Sequence, residues 1–140
     1  MSNKISVIDS SALLAIIYDE GENKEVQKHF DHSYMSVINA TECLIVLNRN
    51  GMPMDVAQNL LESIISKFIP TEYNDILLIA EIKNSNVDIE LSLGDCTCIA
   101  LGNKLGLQIV TADKVWLKVK CKSNIRCIRW VKDLNKIIFK

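Results

Sequence analysis

The chain has 140 residues, of which 49% are hydrophobic and 24% charged, and its net charge at pH 7 is −1. This length and hydrophobic content predict a single globular domain over residues 1–140 and exclude an intrinsically disordered chain. No apolar stretch approaches the roughly 18 residues of a membrane span, and the first residues lack the apolar segment of a signal peptide, so we expect a cytoplasmic protein without membrane association.

The balanced net charge hides a basic C-terminal segment. Residues 1–103 hold 6 Lys and Arg against 15 Asp and Glu, a net charge of −9, whereas residues 104–140 hold 10 against 2, a net charge of +8. A basic segment on an acidic body suits a protein that binds phosphate groups beside a metal site. A solvated charged face explains the same pattern equally well.

The first half of the chain predicts short strands that alternate with helices. The predicted elements are a strand at 5–8, a helix at 12–17, a polar helix at 24–30, a strand at 35–37 and helices at 39–50 and 56–68. Ser10 and Ser11 are expected to cap the first helix. Ile69 and Pro70 either close the helix at 56–68 or begin a short strand.

The second half continues the alternation. The predicted elements are helices at 74–84 and 94–105, a strand at 107–110, a short helix at 115–117 and a strand at 125–130. Gly106 is the expected C-cap of the helix before it, and the tail after residue 130 is ambiguous. Short strands alternating with helices predict an α/β fold in which helices cover both sides of a parallel sheet.

Four acidic residues are expected at one edge of this sheet. Asp9 and Asp113 follow predicted strands, and Glu42 and Asp95 lie near the beginnings of predicted helices. In a parallel α/β sheet, ligands bind beyond the carboxyl ends of the strands, where such residues converge. Asp is also a common cap and turn residue, and that role alone would explain Asp113.

The surroundings of Glu42 and Asp95 favour a metal site. Both acids lie among apolar residues, and a carboxylate that is buried alone is so costly that such groups are usually paired or bound to a cation. Oxygen ligands without His or Cys select Mg²⁺ or Mn²⁺. The hypothesis is hydrolysis of a phosphodiester by a metal-activated water.

The four acids lie in four short windows, residues 7–13 (VIDSSAL), 36–42 (SVINATE), 93–96 (LGDC) and 109–113 (IVTAD). In this order, the windows resemble the PIN domain family, in particular the VapC-type toxins of bacterial toxin–antitoxin pairs. The resemblance implies a PIN-like three-layer α/β/α fold with a short central parallel sheet. It also implies an Mg²⁺- or Mn²⁺-dependent endoribonuclease that cleaves structured RNA of the tRNA or rRNA class, a VapB-type antitoxin as partner, and a homodimer.

The resemblance also assigns roles to single residues. Asp9, Glu42, Asp95 and Asp113 would form the catalytic and metal-binding quartet. Ser10 and Thr111 match hydroxyl positions near the metal, although capping explains each as well. Lys114 and Arg49 are candidates for contacts to RNA phosphates, or simply solvated side chains.

Several other residues could have either a structural or a functional role. Trp116 and Trp130 lie near basic residues and would either stack on RNA bases or pack in the core, and core packing is favoured. The five cysteines have no CxxC spacing and are expected to be small buried thiols, and His29 and His32 are expected at the surface.

Two alternatives to a ribonuclease are a catalytically inactive PIN-like module that binds RNA or protein, and a phosphohydrolase of another α/β family. A haloacid-dehalogenase phosphatase needs a second Asp two residues after the first, where this chain has Ser11. A receiver domain needs paired acids after its first strand, which are also missing, and the sequence contains no nucleotide-binding glycine motif.

Overall fold

The computed structural model describes backbone residues 5–18, 32–131 and 136–139, and side chains within these ranges as far as Ile128. The polar helix expected over residues 24–30, His29 and the side chain of Trp130 lie outside the described residues. His32 is exposed, as expected.

Six strands form the sheet of the described residues. They are β1 (Ser6–Ile8), β2 (Ser33–Ser36), β3 (Lys67–Ile69), β4 (Gln108–Thr111), β5 (Ile125–Val131) and β6 (Lys136–Phe139). Their spatial order is β3-β2-β1-β4-β5-β6, with β1 and β4 at the centre. β1 to β5 pair in parallel and β6 pairs antiparallel to β5, so the predicted parallel sheet is confirmed, with one antiparallel edge strand in the ambiguous tail.

Helices cover both faces of the sheet. The described α-helices are α1 (Ser10–Tyr18), α2 (Val37–Arg49), α3 (Met54–Ile64), α4 (Ile76–Ser85) and α5 (Leu93–Leu105), and 3-10 turns occupy Tyr73–Asp75 and Lys114–Lys118. One core joins α1, α2 and α3 to Ile8 and Val110, and a second joins α4 and α5 to Val7 and Ile109. Because successive strand residues point to opposite faces, the two cores lie on either side of the sheet, and the three-layer prediction is confirmed.

α5 is the most deeply buried helix of the described part, with eight buried residues between Gly94 and Gly102. A Cβ added at Gly102 would lie 2.3 Å from Cγ1 of Ile109, so the helix backbone packs directly against β4. Gly106 ends the helix with φ +66°, as predicted for a glycine C-cap. This packing fixes the N-terminal end of α5, where Asp95 lies.

The helix predicted over residues 56–68 is too long. α3 ends at Ile64, Ile65 adopts extended backbone angles, and Phe68 and Ile69 pair with Met35 and Ser36 of β2. The apolar spacing of this segment fits a helix, but hydrogen bonding to an open sheet edge decides the conformation of its last residues.

The cysteines match their structural interpretation. Cys43, Cys96, Cys98 and Cys127 are buried and Cys121 is half-buried. None of the described helices combines the length and the apolar character that crossing a bilayer requires.

Candidate active site

One cleft of about 270 Å³ lies where β1 and β4 end, and we call it the acidic cleft. It is lined by Asp9, Ser10, Ser11, Leu14, Glu42, Val46, Asp95, Asp113 and Trp116. The four acids singled out in the sequence therefore share one cavity. They come from the end of β1, from α2, from the first turn of α5 and from the residues after β4.

Asp9 is the most enclosed of the four acids, with 3% of its surface exposed. Its Oδ1 accepts the backbone N–H of Ala12 at 2.9 Å, its Oδ2 accepts the Thr111 hydroxyl at 2.9 Å, and the Ser11 hydroxyl lies 2.9 Å from both oxygens. Asp9 itself thus caps α1, so the prediction that Ser10 and Ser11 form this cap is wrong. Asp9 forms the cap because it directly precedes the helix and its carboxylate accepts a free N–H of the first turn.

Burial dominates the electrostatics of Asp9. Removal from water raises the pKa of its carboxyl from 3.8 to about 7, although the hydrogen bonds from Ala12, Ser11 and Thr111 lower it and the charge of Asp95 raises it further. A buried carboxylate of this kind gains most from a nearby cation.

Thr111 and Ser11 join the end of β4 to the first turn of α1. Their hydroxyl oxygens are 3.2 Å apart, the N–H of Ala112 donates to Ser11 at 3.0 Å, and the N–H of Asp113 donates to Thr111 at 3.1 Å. Thr111 is fully buried and orients Asp9 rather than lying in the cleft wall. The sequence did not single out Ser11 as a site residue, and its only signal was a hydroxyl two positions after the acid.

Glu42 is held through one of its two oxygens. Oε1 accepts the Ser10 hydroxyl at 2.6 Å and the side-chain amide of Asn39 at 3.0 Å, while no described residue donates to Oε2. Ser10 was predicted near the site, whereas Asn39 was missed. Asn39 also donates to the carbonyl of Gly94 at 3.1 Å, so it links α2 to the beginning of α5.

Gly94 leaves the space that the Glu42 carboxylate occupies. A Cβ added at Gly94 would lie 2.4 Å from Oε2 and 2.8 Å from both Oε1 and Cδ of Glu42. These distances are much shorter than a van der Waals contact, so any side chain at position 94 would displace the Glu42 carboxylate. The glycine before the third acid therefore has a steric reason in this fold.

We expect Gly94→Ala to displace Glu42 without unfolding the protein, because the atoms in the way are the end of a flexible side chain. Glu42 can move away from the new methyl group, and Ala is a better helix former than Gly. We therefore expect the free energy of unfolding to fall by only about 1–3 kcal/mol, which urea unfolding measures. In a Glu42→Ala background the same substitution should cost nothing or stabilise by up to about 1 kcal/mol. An equal cost in both backgrounds would contradict the contact.

Asp95 and Asp113 each cap a helical segment through one oxygen. Oδ2 of Asp95 accepts the N–H of Ser92 at 2.9 Å in a reciprocal capping box, and Oδ1 of Asp113 accepts the N–H of Val115 at 3.0 Å. The capping role that the sequence offered for Asp113 is therefore present. No described residue donates to the second oxygen of either acid, and both line the acidic cleft.

The electrostatics of Asp95 reflect its neighbours. Partial burial raises the pKa of its carboxyl, the hydrogen bonds with Ser92 lower it, and the charges of Glu42 and Asp113 raise it further. These acids therefore act on one another across the cleft.

The donor set of the cleft fits a hard divalent cation. Every charged side chain among the described residues that line it is a carboxylate, with no Lys, Arg or His. As they stand, however, the described His, Cys, Asp and Glu residues include no group of three arranged to hold a metal ion. Glu42, Asp95 and Asp113 are each held through one oxygen and keep the other free of hydrogen bonds from described residues.

The sequence model of the PIN domain matches residues 6–121, which carry all four acids. The chain belongs to the PIN domain family. This PIN domain is not a haloacid-dehalogenase phosphatase or a receiver domain, and the resemblance seen in the four sequence windows is confirmed.

Solved structures share the fold at low sequence identity. A toxin–antitoxin complex from Klebsiella pneumoniae is 13% identical with a TM-score of 0.61, and the alignment covers 81% of this chain and 91% of that chain. VapC20 of Mycobacterium tuberculosis, described as a sarcin–ricin loop cleaving toxin, is 16% identical with a TM-score of 0.61 and coverages of 78% and 90%. DNA-bound VapBC of Salmonella typhimurium is 12% identical with a TM-score of 0.69 and coverages of 87% and 96%. No curated protein sequence matches this PIN domain significantly.

The remaining predicted site residues lie outside the acidic cleft or in the core. Lys114 is exposed at the beginning of the 3-10 turn after Asp113, and Arg49 is exposed in the last turn of α2, about 10 Å along the helix from Glu42. Neither lines the cleft. Trp116 belongs to the lining of the cleft but is 1% exposed and packs in the core with Leu91 and Ile99, so the favoured core interpretation is confirmed.

Proposed function

We propose that this PIN domain is a metal-dependent endoribonuclease and the toxin of a toxin–antitoxin pair. The observation that carries the proposal is the acidic cleft, in which four carboxylates converge at the carboxyl ends of parallel strands with no basic side chain among the described lining residues. An uncompensated cluster of this kind is destabilised by mutual repulsion unless a cation binds there. Its oxygen donors select Mg²⁺ or Mn²⁺.

Asp9, Glu42, Asp95 and Asp113 would hold the ion. Such an ion supplies a water of lowered pKa and offsets the charge of the phosphate that is attacked. Asp9 is the fixed member of the set, because Ser11 and Ala12 in the first turn of α1 and Thr111 at the end of β4 all donate hydrogen bonds to it. Asp95 lies in the first turn of α5, where the helix dipole stabilises its charge by about 0.3–1 kcal/mol.

The proposed substrate is structured RNA of the tRNA or rRNA class. VapC20, which shares the fold, is described as cleaving the sarcin–ricin loop. Lys114 is exposed and directly follows Asp113, which lines the acidic cleft. Its side chain is a candidate to bind a phosphate beside the cleaved bond, with Arg49 a more distant candidate.

The proposed partners are a VapB-type antitoxin and a second copy of this chain. The structures from K. pneumoniae and S. typhimurium that share the fold are both toxin–antitoxin or VapBC assemblies. Because the proposed substrate is cellular RNA, the protein would work in the cytoplasm.

The experiment is cleavage of a folded tRNA and of an rRNA hairpin with Mn²⁺, with Mg²⁺ and with EDTA. We expect cuts with either ion and none in EDTA. Asp95→Asn, which keeps the acceptor for the cap of α5 but loses the charge, should lower the rate at least about 100-fold. Asp88→Asn is the matched control, because Asp88 is exposed and lies outside the cleft. Cleavage in EDTA, or full activity of Asp95→Asn, would overturn the proposal.

A catalytically inactive PIN-like binding module is the second candidate. The observation in its favour is that the described acids do not surround a common point as they stand. Calorimetric titration with Mn²⁺ separates the two, because only an active site should give heat that disappears in Asp9→Asn. A wild-type titration without heat would favour the binding module.

A further inference from the structure

Asn39 is a buried amide whose polar atoms are all engaged. It is 1% exposed, and its Oδ1 accepts the Ser36 hydroxyl at 2.5 Å. Its Nδ2 donates to Oε1 of Glu42 at 3.0 Å and to the carbonyl of Gly94 at 3.1 Å, with Ser10 Oγ at 3.4 Å. Because the hydroxyl of Ser36 occupies the oxygen side of the amide, the nitrogen side points to Glu42 and Gly94.

A purely local role would account for only part of this geometry. Asn39 lies in the first turn of α2, where its backbone N–H donates to the N-cap Ser36 at 3.0 Å, and Ala would keep that bond. The two hydrogens of Nδ2 instead reach an acid one helical turn later and a carbonyl 55 positions away. Neither bond is needed to begin α2.

These bonds decide which oxygen of Glu42 is available. Oε1 receives two donors, and the second is Ser10, whose single hydroxyl hydrogen is shared with the carbonyl of Asn39 at 3.2 Å. Oε2 has no donor among the described residues and lies against the backbone of Gly94. Without the amide, one shared hydrogen would remain to orient the carboxylate.

We infer that Asn39 is a positioning residue of the acidic cleft, which holds Oε1 of Glu42 and the Gly94 carbonyl so that Oε2 is the oxygen offered to a divalent cation. The inference rests on the proposed function, since it assigns a task to the same site. Residues that orient a metal ligand through a hydrogen bond typically change metal affinity by about 10–100-fold when they are removed.

The first experiment measures Mn²⁺ affinity by calorimetry for wild type, Asn39→Ala, Glu42→Ala and the double variant. We expect Asn39→Ala to weaken binding about tenfold or more, and the double variant to bind no worse than Glu42→Ala. Asn59→Ala, an exposed Asn on α3, is the matched control and should bind like wild type. Equal affinity of Asn39→Ala and wild type, or an undiminished effect in the Glu42→Ala background, would overturn the inference.

A metal-free measurement tests the contact itself. In EDTA, Asn39→Ala and Glu42→Ala should together destabilise the protein by less than the sum of their separate effects, because each removes the same hydrogen bond. Strict additivity would overturn the inference. If Asn39→Ala does not fold, Asn39→Ser replaces it, since its hydroxyl is too short to reach Glu42 or Gly94 and the same loss of affinity is expected.

The two proposals fail in different ways. If wild type gives no Mn²⁺ heat that depends on Asp9, the proposed function falls and the role of Asn39 falls with it. If wild type binds Mn²⁺ and cleaves RNA, and Asn39→Ala does both equally well, only the inference about Asn39 falls.

Discussion

Asp9→Asn is expected to abolish metal-dependent RNA cleavage, with a rate loss of at least about 100-fold, while the protein stays folded. Asp9 is the acid that the fold holds most firmly, since donors from Ser11, Ala12 and Thr111 surround it. Asn has the same shape, its oxygen can still accept the N–H of Ala12, and its amide can donate to the hydroxyls. The substitution therefore removes a charge and little else.

The measurement is the single-turnover rate on the folded RNA at saturating Mn²⁺, with circular dichroism to verify the fold. Asp88→Asn serves again as the control for loss of one exposed carboxylate. Retained cleavage by Asp9→Asn would remove Asp9 from the active site. Loss of the folded spectrum would show that its role is structural.

The stability of the metal-free protein is expected to fall as the pH rises from about 4 to about 7. The Asp9 carboxyl has a pKa of about 7 in the folded protein and an ordinary value of 3.8 when unfolded, so between these values the folded state binds the proton and the unfolded state does not. Stability then decreases with pH through this window and is lowest above pH 7. The difference corresponds to about 4 kcal/mol.

Urea unfolding in EDTA across this pH range measures the effect, and Asp9→Asn should remove most of the slope. The pKa of Asp95 is also raised, so a smaller pH dependence of stability should remain in the Asp9→Asn variant. For the wild-type protein at pH 8, addition of Mn²⁺ should raise the free energy of unfolding again, because the ion binds only the folded state. Identical pH profiles for wild type and Asp9→Asn would contradict the assignment of a strongly buried charge.

Much of the fold follows from local sequence patterns. Each central strand is a short run that an acid follows within two residues, and α5 has its acid in the first turn and its glycine cap at the end. The parallel order follows because helices separate these strands. The conformation of residues 65–69 could not be predicted, because their apolar spacing fits a helix. Only pairing with the open edge of β2 makes part of this segment a strand.

The acids of the candidate site were visible in the sequence, but the residues that hold them were not. Asp9, Ser10 and Ser11 are all good capping residues, and only their distances in the fold show that Asp9 takes this role. Asn39 looks like an ordinary first-turn residue of a helix until Gly94 is brought beside it. Such partners are distant in sequence, so no local pattern reveals them.

The contact between Gly94 and Glu42 predicts that positions 42 and 94 covary. A relative that keeps a long acid at the position of Glu42 could carry a side chain at the position of Gly94 only with its carboxylate displaced, since the two would otherwise occupy the same space. A relative that has lost the acid is released from this constraint, and a better helix former should replace the glycine over time. The residue that precedes the third acid thus becomes a marker, readable from an alignment alone, of which members of the family retain a complete cleft.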